Sequence, residues 1–173
     1  MSFIRERWYR QISTLFGLKK LQMPVTPLKS LNMALFKTKA ADQLIESNEK
    51  YVIGGHSLGS AMAARYANQS KNKNLKGIFF LAAYPDQKGR LDHKKLAALS
   101  ITASRDGILN WQKYRQGQKY LPANTSYKSI SGGNDGDFGS YGQQKGDKKA
   151  KISNARQQKI IARDLIKWLK KIK

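Results

Sequence analysis

Short apolar runs and longer amphipathic stretches alternate along most of the chain. The run at 77–83 is wholly apolar, as expected for a parallel strand that helices cover on both faces. Near the C-terminal end, Ile161, Leu165 and Trp168 recur at helical spacing on one side. This alternation predicts an α/β fold, a mostly parallel sheet with helices on both faces. We predict strands at 18–23, 51–57, 77–83, 95–104 and 125–131, and helices at 3–16, 38–47, 58–67, 108–119 and from about 153.

The stretch from 51 to 67 places a strand, a sharp turn and a helix in direct succession. Its turn, Gly55-His56-Ser57-Leu58-Gly59, fits the pattern G-x-S-x-G. In a nucleophile elbow this pattern lifts a serine hydroxyl above the end of a sheet on a strained turn. We predict that role for Ser57, and we expect Gly55 and Gly59 to let strand and helix approach closely. The simpler alternative is a serine that only caps the helix.

The composition fits a single domain, 1–173, with a real core, because 40% of the 173 residues are hydrophobic. No apolar run approaches the roughly 18 residues of a membrane span, and the opening segment lacks a signal-peptide cleavage site. The chain as written is therefore expected to be soluble. The absence of cysteine excludes disulfides, thiolate metal sites and a cysteine nucleophile. The compartment and the oligomeric state stay open.

The lysines and arginines that give the formal net charge of +22 are spread through the whole chain, with a local surplus towards its end. Residues 145–173 contain eleven lysines and arginines against two aspartates, Asp147 and Asp164. Such a surplus attracts polyanions, whether nucleic acid, anionic lipid or wall polymer. A solvated helix face in a lysine-rich protein has the same composition, and no aromatic-rich RNA-binding pattern accompanies the charge. We favour the solvated face and expect no specific nucleic-acid partner, while non-specific polyanion binding stays open.

Several groups with chemical potential follow predicted strands directly. They are Ser57, Tyr84, Asp106 and the glycine-rich loop 132–142. Ligand sites of open parallel sheets lie beyond the carboxyl ends of the strands, so these groups are expected to share one edge. A serine, then an acid, then a late loop is also the chain order of an α/β-hydrolase triad.

The chain resembles the α/β-hydrolase superfamily, specifically the small group called α/β-hydrolase fold family 5, which is related to dienelactone hydrolases. The resemblance extends from about Met23 to the C-terminus. Four motifs carry it: Gly-Gly-His-Ser-Leu-Gly at 54–59, Leu-Ala-Ala-Tyr-Pro at 81–85, Ser-Arg-Asp-Gly at 104–107 and Gly-Gly-Asn-Asp-Gly-Asp-Phe-Gly-Ser-Tyr-Gly at 132–142.

This resemblance implies a serine hydrolase of small carboxylic esters or related acyl substrates. By the same resemblance Ser57 is the nucleophile, Asp106 is the triad acid and the Leu58 backbone N–H is one oxyanion donor. Tyr84 and Asn134 are the expected substrate contacts. We expect no cofactor and no metal, and the partner is a small acyl or ester substrate.

The late loop departs from the family pattern, in which the general-base histidine directly follows the asparagine. This chain has Asp135 there. Of its two histidines, His56 is expected to point away from the nucleophile it adjoins, and His93 to lie roughly 25 Å from the site. A carboxylate at 135 can in principle accept the serine proton, but competing carboxylates are not expected to hold an imidazole. Because losing a triad histidine costs on the order of 10⁶ in turnover, we expect weak or absent hydrolysis.

The N-terminal part is a second departure. A family member normally begins with further strands, one of which lies beside the nucleophile strand and supplies the other oxyanion N–H. Here either strand 18–23 pairs with strand 51–57, or the sheet keeps an unpaired internal edge. We therefore expect an N-terminally shortened form of the fold.

Two other functions remain open. One is a hydrolase-fold protein without catalysis, retained as a binding module or remnant, and the other is a basic polyanion-binding protein. A calcium site at Asp135 and Asp137 is disfavoured, because an EF-type loop needs a further ligand where Gly139 stands.

Overall fold

The computed structural model of the chain describes residues 50–139 and 141–172. The strand predicted at 18–23 and the helices predicted at 3–16 and 38–47 lie outside these residues. The described part contains a sheet of four parallel strands, arranged in chain order. They are β1 (Tyr51–His56), β2 (Leu75–Leu81), β3 (Ala97–Ala103) and β4 (Ser126–Ile130).

Helices connect and follow these strands. They are α1 (Leu58–Gln69), α2 (Trp111–Gly117), the single turn α3 (Gly136–Gly139) and α4 (Asn154–Leu169), with 3-10 turns at Gln87–Gly89 and Gln118–Tyr120. None of the described helices has the length and apolarity needed to cross a bilayer.

Side-chain caps set where two of the helices begin. Ser153 accepts a hydrogen bond from the Arg156 N–H at 3.3 Å, which confirms the predicted start of α4. The helix predicted at 108–119 begins later, because the Asn110 side chain accepts from the Lys113 N–H at 2.9 Å and so caps α2. From Gln118 the chain continues as a 3-10 turn.

Both faces of β2 are covered, which explains its wholly apolar sequence. Ile78 and Phe80 lie in a buried cluster with residues of α1 such as Ala64. The alternate residues point to the other face, where Phe79 meets Trp168 of α4 edge to face, with ring centroids 6.4 Å apart. Burying each such side chain contributes about 1.5–3 kcal/mol. The predicted sheet with helices on both faces is therefore confirmed.

Candidate active site

Ser57 occupies the bend between β1 and α1, and its side chain is exposed. Its φ of 52° and ψ of −123° lie in a region that residues other than glycine rarely adopt. The backbone fixes this bend, because the Ser57 N–H donates to the Leu81 carbonyl at 3.0 Å and the Ser57 carbonyl accepts from the Ser60 N–H at 3.0 Å. The Ser57 hydroxyl makes no capping hydrogen bond to α1, so the simple capping alternative does not describe this serine.

Two glycines before Ser57 allow close packing, Gly55 against the start of α1 and Gly54 against β2. A Cβ on Gly55 would lie 3.2 Å from the Gly59 carbonyl carbon, and a Cβ on Gly54 would lie 2.3 Å from the Phe79 carbonyl oxygen. The expectation for Gly55 is confirmed. The expectation for Gly59 is wrong, since a Cβ there would meet no described atom within 4 Å. Among the described residues, the close approach of β1 and α1 therefore requires a glycine at 55, on the strand side of the bend, and not at 59.

The Leu58 N–H lies at the start of α1, one residue after the exposed serine. Within the described residues no hydrogen-bond acceptor occupies this N–H. The first N–H groups of a helix lack partners inside the helix, and they carry the positive end of the helix dipole. The Leu58 N–H is therefore available to an oxygen bound in front of Ser57.

A cleft of about 330 Å³ opens beside Ser57 at the carboxyl edge of the sheet. Its walls are mainly apolar, and it includes Ala82, whose φ of 47° makes it the second non-glycine residue in the described chain with a left-handed backbone. The predicted contact Tyr84 lines the cleft, whereas Asn134 does not. The lining residues are Ser57, Leu58, Ala61, Ala82, Ala83, Tyr84, Asp86, Ile108, Leu109, Asn110 and Asp135.

Asp106 follows β3 and is 1% exposed. Its Oδ1 accepts from the backbone N–H of Ile108 at 2.9 Å and of Leu109 at 2.7 Å. Its Oδ2 is buried and has no hydrogen-bond partner in the described part of the chain. Burial raises the pKa of Asp106, the two N–H groups oppose that rise, and the carboxylates of Asp135 and Asp147 add to it. One oxygen of this acid is thus held by the backbone while the other lacks a donor.

Asp135 is buried at 3% exposure and makes two side-chain hydrogen bonds. Its Oδ1 lies 3.0 Å from His56 Nε2, and its Oδ2 accepts from Gln144 Nε2 at 2.8 Å. The His56 ring stacks on Phe138, with centroids 5.6 Å apart, and tilts against Tyr141 at 5.7 Å. The expectation that Asp135 would hold no imidazole is therefore wrong.

The loop that carries Asp135 is held from behind by α4. Gln157 has 0% exposure, and its side chain makes two hydrogen bonds to the backbone of Asn134. Its Oε1 accepts from the Asn134 N–H at 3.0 Å, and its Nε2 donates to the Asn134 carbonyl at 2.8 Å. The Asn134 side chain in turn accepts from the Asp137 N–H and donates to the Lys148 carbonyl. Asn134 thus shapes the loop, and its contact with substrate stays a prediction.

Asp147 links the loop of Asp106 to the loop of Asp135. Its Oδ1 accepts from the Gly107 N–H at 2.9 Å, and its Oδ2 accepts from the Gly136 N–H at 2.9 Å. Each of these glycines directly follows one of the two site carboxylates. The position of Asp106 relative to Asp135 therefore depends on a third carboxylate that the sequence motifs did not single out.

Neither histidine bonds to Ser57 or to Asp106. His56 bonds to Asp135, and the exposed His93 is 3.8 Å from the Asp92 carboxylate. Among residues 50–139 and 141–172, no group of three or more histidine or acidic side chains could hold a metal ion. The described site therefore has a serine and two buried carboxylates, with an imidazole attached to the carboxylate at 135.

Comparison with known proteins identifies the fold. The chain matches the sequence profile of the alpha/beta hydrolase family over residues 20–159, and it therefore belongs to that family. Eight chains of solved structures match it. One is the crystal structure of a predicted CIB-like hydrolase from Thermoplasma acidophilum, with a TM-score of 0.53 and 16% sequence identity. The match covers 78% of this chain and 59% of that one, so the chain spans less than two thirds of that relative. No curated protein matches.

Proposed function

We propose that the protein is a serine hydrolase that acts on small carboxylic esters or related acyl substrates, with Ser57 as its nucleophile. The observation that carries this proposal is the exposed Ser57 side chain on a left-handed bend beside the cleft. A residue held in such a conformation costs about 1–3 kcal/mol. The Ser57 hydroxyl does not offset that cost by capping α1, which supports a chemical role for this hydroxyl.

In the proposed reaction, Ser57 Oγ attacks the carbonyl carbon of the substrate and its proton passes to the Asp135 carboxylate. The oxyanion that forms accepts from the Leu58 N–H. When the tetrahedral intermediate collapses, the alcohol leaves with the proton from Asp135 and the acyl group stays on Ser57. Water then attacks this acyl-enzyme in the same way, which releases the acid and restores the serine.

Slow turnover follows from the group that takes the proton. An aspartate has a reference pKa of about 3.9 against about 6.5 for histidine, so it is a much weaker base. Both oxygens of Asp135 also already take part in hydrogen bonds, one with His56 and one with Gln144. Asp86, the other carboxylate of the cleft lining, is paired with Arg65, and that pairing lowers the pKa of Asp86.

The size of the cleft supports a small substrate. About 330 Å³ is near the lower end of the 300–1,000 Å³ range of small-molecule sites. Ile108 and Leu109 form part of its wall, and apolar walls of this kind suit a short acyl chain. Short-chain p-nitrophenyl esters are therefore the appropriate first substrates.

Labelling with a fluorophosphonate probe, together with turnover of p-nitrophenyl acetate, tests this proposal. The variants are Ser57→Ala and a matched control, Ser129→Ala, which changes an exposed serine on β4. We expect the wild type and the control to be labelled and to turn over slowly, and Ser57→Ala to lose both signals. Equal signals in the two variants, or none in the wild type, would remove the catalytic assignment.

A hydrolase-fold binding module without catalysis is the second candidate. The unpartnered Oδ2 of Asp106 favours it, because the described chain offers no imidazole to that oxygen. Under this alternative the protein does not hydrolyse p-nitrophenyl acetate, but it still binds in its cleft a short-chain ketone, which resembles the ester and has no leaving group. Calorimetry with the ketone, on wild type and on Ser57→Ala, separates the two candidates.

A further inference from the structure

Four basic side chains form a row on the solvent face of α4, which we name the α4 basic row: Arg156, Lys159, Arg163 and Lys167. All four are exposed. At 3.6 residues per turn they fall within about 80° of arc and span about 16 Å along the helix axis. The opposite side of α4 is buried and consists of Gln157, Ile161, Leu165 and Trp168.

Most of the charge on this row is not neutralised. Arg163 is ion-paired with Asp164, with 3.0 Å between Nε and Oδ1. Among the described residues no carboxylate lies within ion-pair distance of Arg156, Lys159 or Lys167. The row therefore presents three open positive charges and one that is partly compensated.

The negative charge of the described chain is concentrated elsewhere. Residues 50–172 contain seven acidic side chains, all aspartates. Four of them lie in the loops that build the candidate active site: Asp106, Asp135, Asp137 and Asp147. Asp106 and Asp135 are only 1% and 3% exposed, and the segment around Asp147 also carries four exposed lysines: Lys145, Lys148, Lys149 and Lys151. No residue of α4 lines the cleft, so a partner of the α4 basic row is not the substrate of the cleft.

We propose that the α4 basic row binds the phosphate backbone of a nucleic acid, without reading its sequence. One strand carries a negative charge every 3.4 Å, so about five phosphates lie opposite a row of about 16 Å. A narrow row of charges fits a linear polymer. Helices that bind an anionic bilayer also insert apolar side chains into it. No large exposed hydrophobic residue of the described chain lies on α4, which argues against a bilayer as the partner.

The same face explains why binding is independent of sequence. Single-stranded bases are read by stacking on aromatic side chains and by hydrogen bonds to their edges. The four exposed large hydrophobic residues of the described chain lie outside α4: Leu58, Ile108, Tyr127 and Tyr141. Affinity then comes from phosphate neutralisation alone, and it falls steeply with salt.

Fluorescence anisotropy on the full chain tests the proposal, with labelled 20-nucleotide single strands and duplexes of two unrelated sequences over a salt series. Four neutralised phosphates give a log–log salt slope of about −2.8 on single strands and about −3.6 on duplexes. The row variant carries Arg156→Gln, Lys159→Gln, Arg163→Gln and Lys167→Gln. The matched control removes four other exposed charges through Lys71→Gln, Lys73→Gln, Lys88→Gln and Lys113→Gln.

We expect the row variant to lose at least about tenfold in affinity at low salt and most of the salt slope, whereas the control loses less than about threefold. Equal losses in the two variants would overturn the proposal in favour of net charge alone. Vesicles that contain phosphatidylserine are the second ligand, and row-dependent binding to vesicles without binding to nucleic acid would also overturn it.

A measurement on the wild type tests the same surface without depending on how the variants fold. Bound nucleic acid is expected to protect Lys159 and Lys167 from acetylation more than it protects the exposed Lys71 and Lys73. Circular dichroism compares the folds of the two variants. Equal modification of all four lysines in the presence of nucleic acid contradicts the proposed surface, whatever the variants do.

Discussion

His56 and Asp135 are 79 positions apart in the sequence and are joined by a hydrogen bond of 3.0 Å between Nε2 and Oδ1. The imidazole belongs to the residue before Ser57, and the carboxylate occupies the position at which the family resemblance leads us to expect a histidine. The described site therefore pairs an imidazole with a carboxylate, and a triad role for either group stays a prediction. Asp135 lines the cleft with Ser57, while no described residue donates a hydrogen bond to the Oδ2 of Asp106.

Replacing Asp135 by histidine is expected to raise ester turnover. A histidine at 135 supplies a base with a reference pKa of about 6.5, and such bases contribute typically 10²–10⁴-fold. We expect Asp135→His to increase kcat/KM for p-nitrophenyl acetate by at least about tenfold at pH 8.

The control for this change is Asp135→Asn, which removes the carboxylate and adds no base. Both variants lose the charge that faces His56, so a difference between them reports the new imidazole. Equal rates for the two variants would show that position 135 does not take part in proton transfer.

The local motifs of the site could be predicted from sequence because each one forms within a few residues. The bend at Ser57 follows from a glycine-flanked turn between an apolar run and an Ala-rich helix, and the start of α4 follows from Ser153. The expectation for Gly59 was wrong because the motif specifies a residue type but not the direction in which a Cβ would point. At this bend a Cβ on Gly59 would point to a place where no described atom lies within 4 Å.

The contacts that assemble the site could not be predicted, because they join separate elements. The bond from His56 to Asp135 depends on how far a ring at the end of β1 reaches towards the loop after β4. Gln157 left a signal in the sequence. It stands four residues before Ile161 on the apolar side of α4, where a lone polar residue indicates a buried hydrogen-bond partner.

The raised pKa of Asp106 makes a prediction about pH and stability. The folded state binds the proton of Asp106 more tightly than the unfolded state does, because burial disfavours its charged form. The contribution of Asp106 to the stability of the wild type is therefore lost as pH rises from the unfolded pKa of about 3.9 through the higher folded pKa. We expect the free energy of unfolding of Asp106→Asn, relative to wild type, to increase over that interval.

Urea denaturation of both proteins from pH 4 to pH 8 checks this prediction. Asparagine keeps an oxygen for the N–H groups of Ile108 and Leu109, so the variant is expected to fold. A difference between the two proteins that stays constant with pH, or that shifts in favour of aspartate as pH rises, contradicts a raised pKa at this position.

Gln157→Met is expected to lower the free energy of unfolding by about 2–6 kcal/mol. Methionine has a similar volume but offers no hydrogen bond, so it leaves the N–H and the carbonyl of Asn134 unsatisfied, at about 1–3 kcal/mol for each buried group. Urea denaturation measures the change. Gln112→Met, at an exposed position of α2, is the control and is expected to change stability by less than about 0.5 kcal/mol.

Gly54 and Gly59, on either side of Ser57, give a paired prediction on the stability of the protein. A methyl group on Gly54 would lie 2.3 Å from the Phe79 carbonyl oxygen and 2.5 Å from the Phe79 ring, so β1 and β2 must separate to admit it. We expect Gly54→Ala to destabilise the protein by about 3 kcal/mol or more, because backbone atoms cannot move aside as a flexible side chain can.

Gly59→Ala introduces the same methyl group where no described atom lies within 4 Å, and it places a better helix former in α1. It is expected to leave stability unchanged or to raise it by up to about 1 kcal/mol. Urea denaturation of the two variants separates the outcomes, and equal destabilisation at both positions would contradict the described packing of β1, β2 and α1.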